Sequence, residues 1–408
     1  MTPAGVQDPM GSPTVEAQTG ALPKVLFFVE GNTDIRFVTG LSRICSLTMA
    51  VPASAYGRSG LKERLQASSV SLRVDQIPGS RLQFQGASLL YLLRNAGNFD
   101  LILCQEVLRG ALSCTLAGAI TRTPVITYMG ISPLEYFQCR RERRQIGAWK
   151  AFAGESLIRF LMWFNGRLAT KCLVMGNYLC EVSLRYCRRT EIGLYYGVDT
   201  KIYRPVEGAQ RIALRRKRGL PEDKFIIFLS SRISHEKDPE TVLGATARAR
   251  ERGLDAVVIN LGGGYRDFLG LAKRMFGEGA ADWVLGAPAV HPMVDLPEYY
   301  QAADCLAQGS LAEGLGLSPM EALACGIPAV CTAVGGLTHL REYARLTPRQ
   351  DPEAMCDAFF WVAGHPEEAR AQALRGREYV EREWSRAKAF AELAAVIEHT
   401  IGQTRKPI

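Results

Sequence analysis

Residues 307–330 read AQGSLAEGLGLSPMEALACGIPAV. An apolar run ending at Ala307 gives way to a glycine-rich turn, and a helical stretch enters at Pro319. A second apolar run, residues 329–331, closes the unit. Pro in a first helical turn with Ser318 before it is a helix-start signal. A strand, a tight turn, a helix and a strand make a βαβ unit, so the two strands are parallel. Working outward, the same grammar repeats. Residues 225–229 (FIIFL), 256–261 (AVVINL), 283–285 and 305–307 are short apolar runs separated by longer helical patterns. Before Pro205 it appears again, in residues 24–29 (KVLFFV), 42–52 (SRICSLTMAVP), 72–74, 101–104, 125–128 and 172–175. Helical spacing fills 82–93 and 110–120. Buried parallel strands read as continuous apolar runs, and alternation with helices predicts doubly wound α/β units.

The expected architecture is two Rossmann-like α/β domains facing a cleft. A leader at 1–22 is disordered, the first domain spans 23–205 and the second 206–383. A last segment, 384–408, carries an amphipathic helix. In open α/β sheets ligands collect beyond the carboxyl ends of the strands, at the switch point of strand order, so functional residues belong on post-strand loops.

The chain has 408 residues and a formal charge of +8. Residues 1–205 hold 24 basic and 14 acidic side chains, and residues 206–408 hold 25 and 27. The whole surplus therefore lies in the first half, which marks the two halves for different partners. Hydrophobic residues at 47% and charged residues at 22% exclude a disordered or fibrous chain. The eleven cysteines show no CxxC pair, and residues 1–22 lack the apolar core of a secretory signal, which predicts a reduced, cytoplasmic protein. No run is long enough to span a bilayer.

Two carboxylates, Glu313 and Glu321, stand eight positions apart across the turn, and the amides of Leu315, Gly316 and Leu317 open onto the helix start as an anion cradle. A carboxylate aimed at a phosphate is repelled, so both glutamates are expected to accept hydrogen bonds from sugar hydroxyls. Arg232 and Lys237 follow the run FIIFL. Cations at a helix N-terminus are disfavoured unless an anion sits there, so they point to a phosphate.

Glu313-GLGLSPM-Glu321 followed by ALACGIPAV resembles the E-x7-E signature of family 4 retaining glycosyltransferases, which have the GT-B fold. Residues 230–237 (SSRISHEK) resemble the family's diphosphate-binding loop, and residues 296–310 the approach to its first glutamate. Gly197-Val198-Asp199 with Tyr203-Arg204-Pro205 resembles its interdomain turn. The resemblance implies a metal-independent transfer of a hexose from a nucleotide-sugar, with no cofactor. Glu313 would hold the transferred sugar, Glu321 the ribose, and Arg232 and Lys237 the diphosphate. Gly31, Gly262, Gly264 and Gly314 would line the donor, and the final helix would cross back onto the first domain.

The match fails in the first half. One glycine, Gly31, stands where the family has two, Met129 fills the family's histidine position, and no His precedes His235. Asn32, Asp34, Glu106, Tyr128 and Glu135 are the acceptor-side candidates. Arg140, Arg141, Arg143 and Arg144, with Arg159, Trp163, Phe164 and Arg167, combine cations and aromatics in the way an anionic membrane surface attracts. The competing reading of that segment is a buried crossover helix. The expected partners are a nucleotide-sugar, a lipid-linked or saccharide acceptor and an anionic membrane at the inner face. No nucleic-acid module and no metal-ligand spacing is present. A nucleotide-sugar epimerase would share the architecture but release sugar from donor alone, whereas a non-catalytic sensor would bind donor without turnover. A Rossmann oxidoreductase is disfavoured because Gly262 and Gly264 are followed by Asp267 where a third glycine is needed.

Overall fold

A computed structural model of the chain describes residues 21–405, apart from 32, 59–60, 69, 71, 80–82, 143–145, 263, 288–289 and 291–292. The expected leader lies almost wholly outside the described residues, as do Asn32, Arg143 and Arg144.

Thirteen strands are described. In the first half they are β1 (Lys24–Phe28), β2 (Ser46–Pro52), β3 (Arg73–Ile77), β4 (Leu101–Cys104), β5 (Val125–Met129), β6 (Lys171–Val174) and β7 (Thr190–Ile192). The second half holds β8 (Phe225–Leu229), β9 (Ala256–Leu261), β10 (Val284–Ala287), β11 (Cys305–Gln308), β12 (Ala329–Thr332) and β13 (Arg345–Thr347). They build two parallel sheets, ordered 3-2-1-4-5-6-7 and 10-9-8-11-12-13. Val25 pairs with Leu47 on one side and Leu101 on the other, and Ile227 lies between Val258 and Cys305. Central strands are buried throughout because helices cover both faces. The two-domain GT-B architecture expected from the sequence is therefore present.

Strand order reverses between β1 and β4 in one sheet, and between β8 and β11 in the other. The loops that matter follow β1 and β8 and, across each switch, β4 and β11. The helix expected from Pro319 begins two residues earlier, spanning Leu317–Ala324, because Gly316 at φ +89° turns the chain directly into it.

The last helix, Arg386–Arg405, leaves the second domain and buries Phe390, Leu393, Ile397 and Ile401 in the first-domain core beside Phe37 and Leu41. It starts after Ser385 because the preceding residues pair with the interdomain turn. Val198 N–H donates to the Trp384 carbonyl at 2.8 Å, and Arg386 N–H donates to the Val198 carbonyl at 2.9 Å. Gly40 makes room for this crossing, since a Cβ there would lie 1.9 Å from the Phe390 ring.

All eleven cysteines are free thiols, and all but Cys180 are buried. Among the described residues no helix is long and apolar enough to cross a membrane.

Candidate active site

The loop after β11 brings Glu313 to the loop after β8. Lys237 Nζ lies 2.6 Å from Glu313 Oε2, with side-chain exposures of 16% and 12%. Gln308 and Ser310 donate to the same oxygen, and the Gly314 amide lies 3.3 Å from Oε1. A carboxylate held this way has its orientation fixed while still reaching solvent. Lys237 ends a single turn of 3-10 helix, His235–Lys237, and Asp238 at φ +42° redirects the chain into the helix Pro239–Glu251. Arg232 points outward with 83% of its side chain exposed, and its nearest carboxylate, on Glu236, is 3.8 Å away. The site thus offers one fixed and one outward-facing cation on the loop expected to meet an anion.

Asn260, a residue the sequence pattern did not flag, shapes that loop. Buried at the end of β9, it donates to the carbonyls of Leu229 and Ser231 at 2.8 and 2.9 Å. Gly262 faces open space, and Gly264 packs within contact of Ile233. The residues of the expected anion cradle are less open than their sequence implies. Leu315 and Gly316 are buried and Leu317 is half-buried, because the turn Gly335–Gly336 presses on Glu313 and Gly314.

His339 fastens this loop from beneath. Its Nε2 lies 3.1 Å from the Leu315 carbonyl, which can only accept, so Nε2 carries the proton and Nδ1 accepts from Tyr379 Oη at 3.0 Å. Burial pushes the imidazole pKa down to about 4. A histidine with a depressed folded pKa stabilises fully above its unfolded value of about 6.5, and that contribution disappears as pH falls towards 4. His339→Gln should therefore flatten the dependence of Tm on pH between 6.5 and 4, a difference measurable by thermal unfolding across that range.

Glu321 departs most from expectation. It is 3% exposed, and both its oxygens are occupied. Tyr300 Oη donates to Oε2 at 2.7 Å, and Arg36 Nη1, from the first domain, donates to Oε1 at 2.5 Å. Burial raises the Glu321 pKa, and the Arg36 charge works against that rise. Arg36 had no motif to announce it. Asp34, an acceptor-side candidate, is committed to the same cluster: it caps the helix Ile35–Ile44 and holds the Arg36 guanidinium through both oxygens at 3.0 and 2.9 Å. Burial acts to raise its pKa, but the Arg36 charge and hydrogen bonds prevail and hold it below the usual value.

Three other first-domain candidates are placed as follows. Tyr128 is inside β5 rather than on a loop, buried against Phe37 and Tyr195 and donating to the Gly193 carbonyl at 2.6 Å. That is a core position. Glu106 receives the Ala111 and Leu108 amides at 2.8 and 3.1 Å and serves the start of the helix Arg109–Thr121; burial, with Glu30 nearby, lifts its pKa to about 7. Gly31 is exposed with open space around it. Glu135 remains half-exposed on the helix Pro133–Glu142, which packs against the turn His235–Lys237 of the other domain.

The arginine and aromatic segment is neither buried nor polar. In the helix Ala148–Leu168 only Ala151, Leu161, Met162 and Asn165 are buried. Trp149, Phe152, Leu157, Phe160 and Trp163 are exposed, at 78, 66, 57, 54 and 43%. Their three- to five-residue spacing gathers them on one side of the helix. Phe164 is half-buried and stacks on Phe160, Arg167 lies over the Trp163 ring at 4.2 Å, Arg159 reaches Tyr186, and Arg141 pairs with Glu155. Arg140 is exposed.

Two facing parallel α/β domains, with Glu313 and basic residues on the post-strand loops of the second and Glu321 on the helix that follows, make up a GT-B architecture. Residues 210–377 match the family described as Glycosyl transferases group 1. Among curated proteins, the chain is 33% identical over 191 residues to D-inositol 3-phosphate glycosyltransferase 1 of Catenulispora acidiphila, covering 44% of each chain. It is 35% identical over 204 residues to the D-inositol 3-phosphate glycosyltransferase of Saccharomonospora viridis, covering 47% of this chain and 46% of the relative. The match thus spans less than half the length of these relatives. Among solved structures, Anabaena HepE in complex with UDP-glucose superposes with a TM-score of 0.74 at 16% identity, over 92% of this chain and all of that one. Sucrose-phosphate synthase from Thermosynechococcus elongatus gives 0.72 at 18% identity, over 93% and 99%.

Proposed function

We propose that this chain is a retaining glycosyltransferase that moves a hexose from a nucleotide-sugar to a lipid-linked or saccharide acceptor, without a metal. The observation that carries this reading is the Lys237–Glu313 pair beside the open Arg232, on loops at the switch point of the domain that matches the group 1 glycosyl transferases. A diphosphate leaving group gains charge as the bond to the sugar breaks. Fixed cations whose site is only partly open to water stabilise that charge more than water does. Lys237 would meet the diphosphate with Arg232, Glu313 the sugar hydroxyls and Glu321 the ribose. The bond from the anomeric carbon to the phosphate oxygen breaks, the bond to the acceptor oxygen forms on the same face, and the acceptor's proton passes to the departing diphosphate. HepE, the neighbour solved with UDP-glucose, supports a uridine donor as the first to test.

A thermal-shift screen against nucleotide-sugars tests this directly, because a donor at a hundred times its Kd should stabilise the chain by about 2.7 kcal/mol. If no nucleotide-sugar shifts Tm and none is turned over, the reading fails.

The acceptor side belongs at an anionic membrane on the cytoplasmic face. The exposed aromatic stripe supplies rings for the headgroup region, and Arg140, Lys150, Arg159 and Arg167 supply the charge that anionic lipid attracts. Sedimentation with phosphatidylglycerol vesicles should show binding that weakens with salt. Replacing Trp149, Phe152, Phe160 and Trp163 with serine should abolish it. Undiminished binding would sink the assignment, and concentration-dependent dimers without vesicle binding would give the stripe to a second copy.

A further inference from the structure

The hydrogen-bonding capacity left on Glu321 fits the ribose that the donor reading gives it. An ionised carboxylate offers about four lone-pair sites, two on each oxygen. Among the described residues one side-chain donor meets each oxygen: Arg36 Nη1 lies 2.5 Å from Oε1, and Tyr300 Oη lies 2.7 Å from Oε2. About two sites remain, one on each oxygen, which is the number that two neighbouring ribose hydroxyls need. Glu313 shows the same sharing, since its Oε2 accepts from Lys237, Gln308 and Ser310 together.

The two resident donors differ in origin. Tyr300 belongs to the domain of Glu321, on the helix Leu296–Ala302. Arg36 comes from the helix Ile35–Ile44 of the first domain, and it is held before it reaches Glu321. Its Nε and Nη2 bind the two oxygens of Asp34 at 3.0 and 2.9 Å. Nη2 also donates to Tyr196 Oη at 2.8 Å, and Nη1 to Tyr203 Oη at 3.1 Å. The guanidinium lies 4.4 Å from the centre of the Tyr196 ring. A planar fork held on so many sides cannot turn. Nη1 therefore sets the direction of the Glu321 carboxylate, and with it the direction of the lone pairs left over. The charge acts the same way. Glu321 is 3% exposed, burial favours its neutral form, and the Arg36 charge opposes that. A protonated carboxyl would exchange an acceptor site for a donor.

We propose that Arg36 is a positioning residue for nucleotide recognition: from the first domain it holds the Glu321 carboxylate of the second in the orientation that accepts both ribose hydroxyls. This rests on the donor reading given above. Arg36 keeps its bond to Glu321 when nucleotide is bound and does not itself touch the nucleotide. Its removal therefore weakens the part of binding that comes from the hydroxyls and spares the part that comes from the diphosphate.

The test is calorimetric binding of UDP, GDP and ADP to the full chain and its variants, each paired with the 2′,3′-dideoxy form that lacks both hydroxyls. For the base that binds, the original chain should prefer the ribose form by about tenfold or more, as loss of hydrogen bonds to a charged group predicts. In Arg36→Met that ratio should fall to about threefold or less, with the affinity for the dideoxy form little changed. Arg36→Lys keeps the cation without the fork, and its ratio should lie between the two. A residue needed only for folding would weaken both nucleotides alike. That result, or an undiminished ratio in a folded Arg36→Met chain, overturns the proposal and leaves the donor reading standing. Asp34→Asn loosens the fork while leaving Arg36 and Glu321 in place, and it decides the matter if Arg36→Met does not fold. Its ratio should fall by about threefold, and an unchanged ratio overturns the proposal. Equal binding of the two forms by the original chain takes the ribose away from Glu321, and the role of Arg36 with it. Binding of no nucleotide at all overturns the donor reading itself.

Discussion

Replacing Lys237 by methionine is expected to cut the rate of sugar transfer by a factor on the order of a hundred to a thousand, with little change in Tm. The two halves of that expectation have different causes. The ammonium group sits 2.6 Å from Glu313 in a pocket only partly open to water, so its field acts on charge developing nearby with little screening. Its removal does not strand the carboxylate, because Gln308, Ser310 and the Gly314 amide still bind Glu313. The Glu313→Gln variant should lose rate as well, and the two losses should not add, since each residue orients the other. Arg232, 83% exposed, should give a smaller loss that appears mainly in KM. Steady-state rates and thermal unfolding on the same preparations decide the matter. A Lys237→Met enzyme within threefold of the original rate would show that this cation does not stabilise the leaving group.

Which parts of this arrangement could be read from the sequence follows from burial. Central strands such as Leu101–Cys104 and Val125–Met129 are covered on both faces and stand out as apolar runs. The edge strands Thr190–Ile192 and Arg345–Thr347 have three residues each and are mostly half-exposed or exposed, so TEI and RLT carry no such mark. Lys237 and Glu313 were legible because each lies in a segment whose residue types are constrained by a turn. Arg36 was not. It is one cation in IRFVTGLSRI, which reads as the polar edge of an amphipathic helix, and its partner is 285 positions away. The helix Ala148–Leu168 shows a third limit. Its composition fits a buried crossover and an outward-facing stripe equally, and only the helices packed on Ala151, Leu161 and Met162 decide which side turns inward.

Gly314→Ala should lower both the stability of the protein and the rate of sugar transfer. The new Cβ would lie 2.0 Å from the carbonyl oxygen of Gly130, on the loop after β5 in the opposite domain. Gly336 meets Gly314 in the same manner, with a Cβ position 1.8 Å from the Gly314 oxygen. Three glycines therefore stack backbone against backbone through the contact between domains, and no side-chain rotation can relieve an added atom. Ordinary contact begins near 3.4 Å, so the loop or the domains must separate by more than an ångström. Overpacking of this kind costs about 1–3 kcal/mol, and each kcal/mol lowers Tm by roughly 2–4 °C in domains of this size. The effect on rate should be larger, because the displaced backbone carries Glu313, and misplacement by about 1 Å can cost a hundredfold. Gly208→Ala is the control, since nothing lies within 4 Å of its added Cβ at the start of the helix Gly208–Lys217, and it should leave the rate unchanged and Tm no lower. A Gly314→Ala chain with unaltered Tm and rate would mean that the two loops do not touch as described, and the position of Glu313 in the cleft would have to be redrawn.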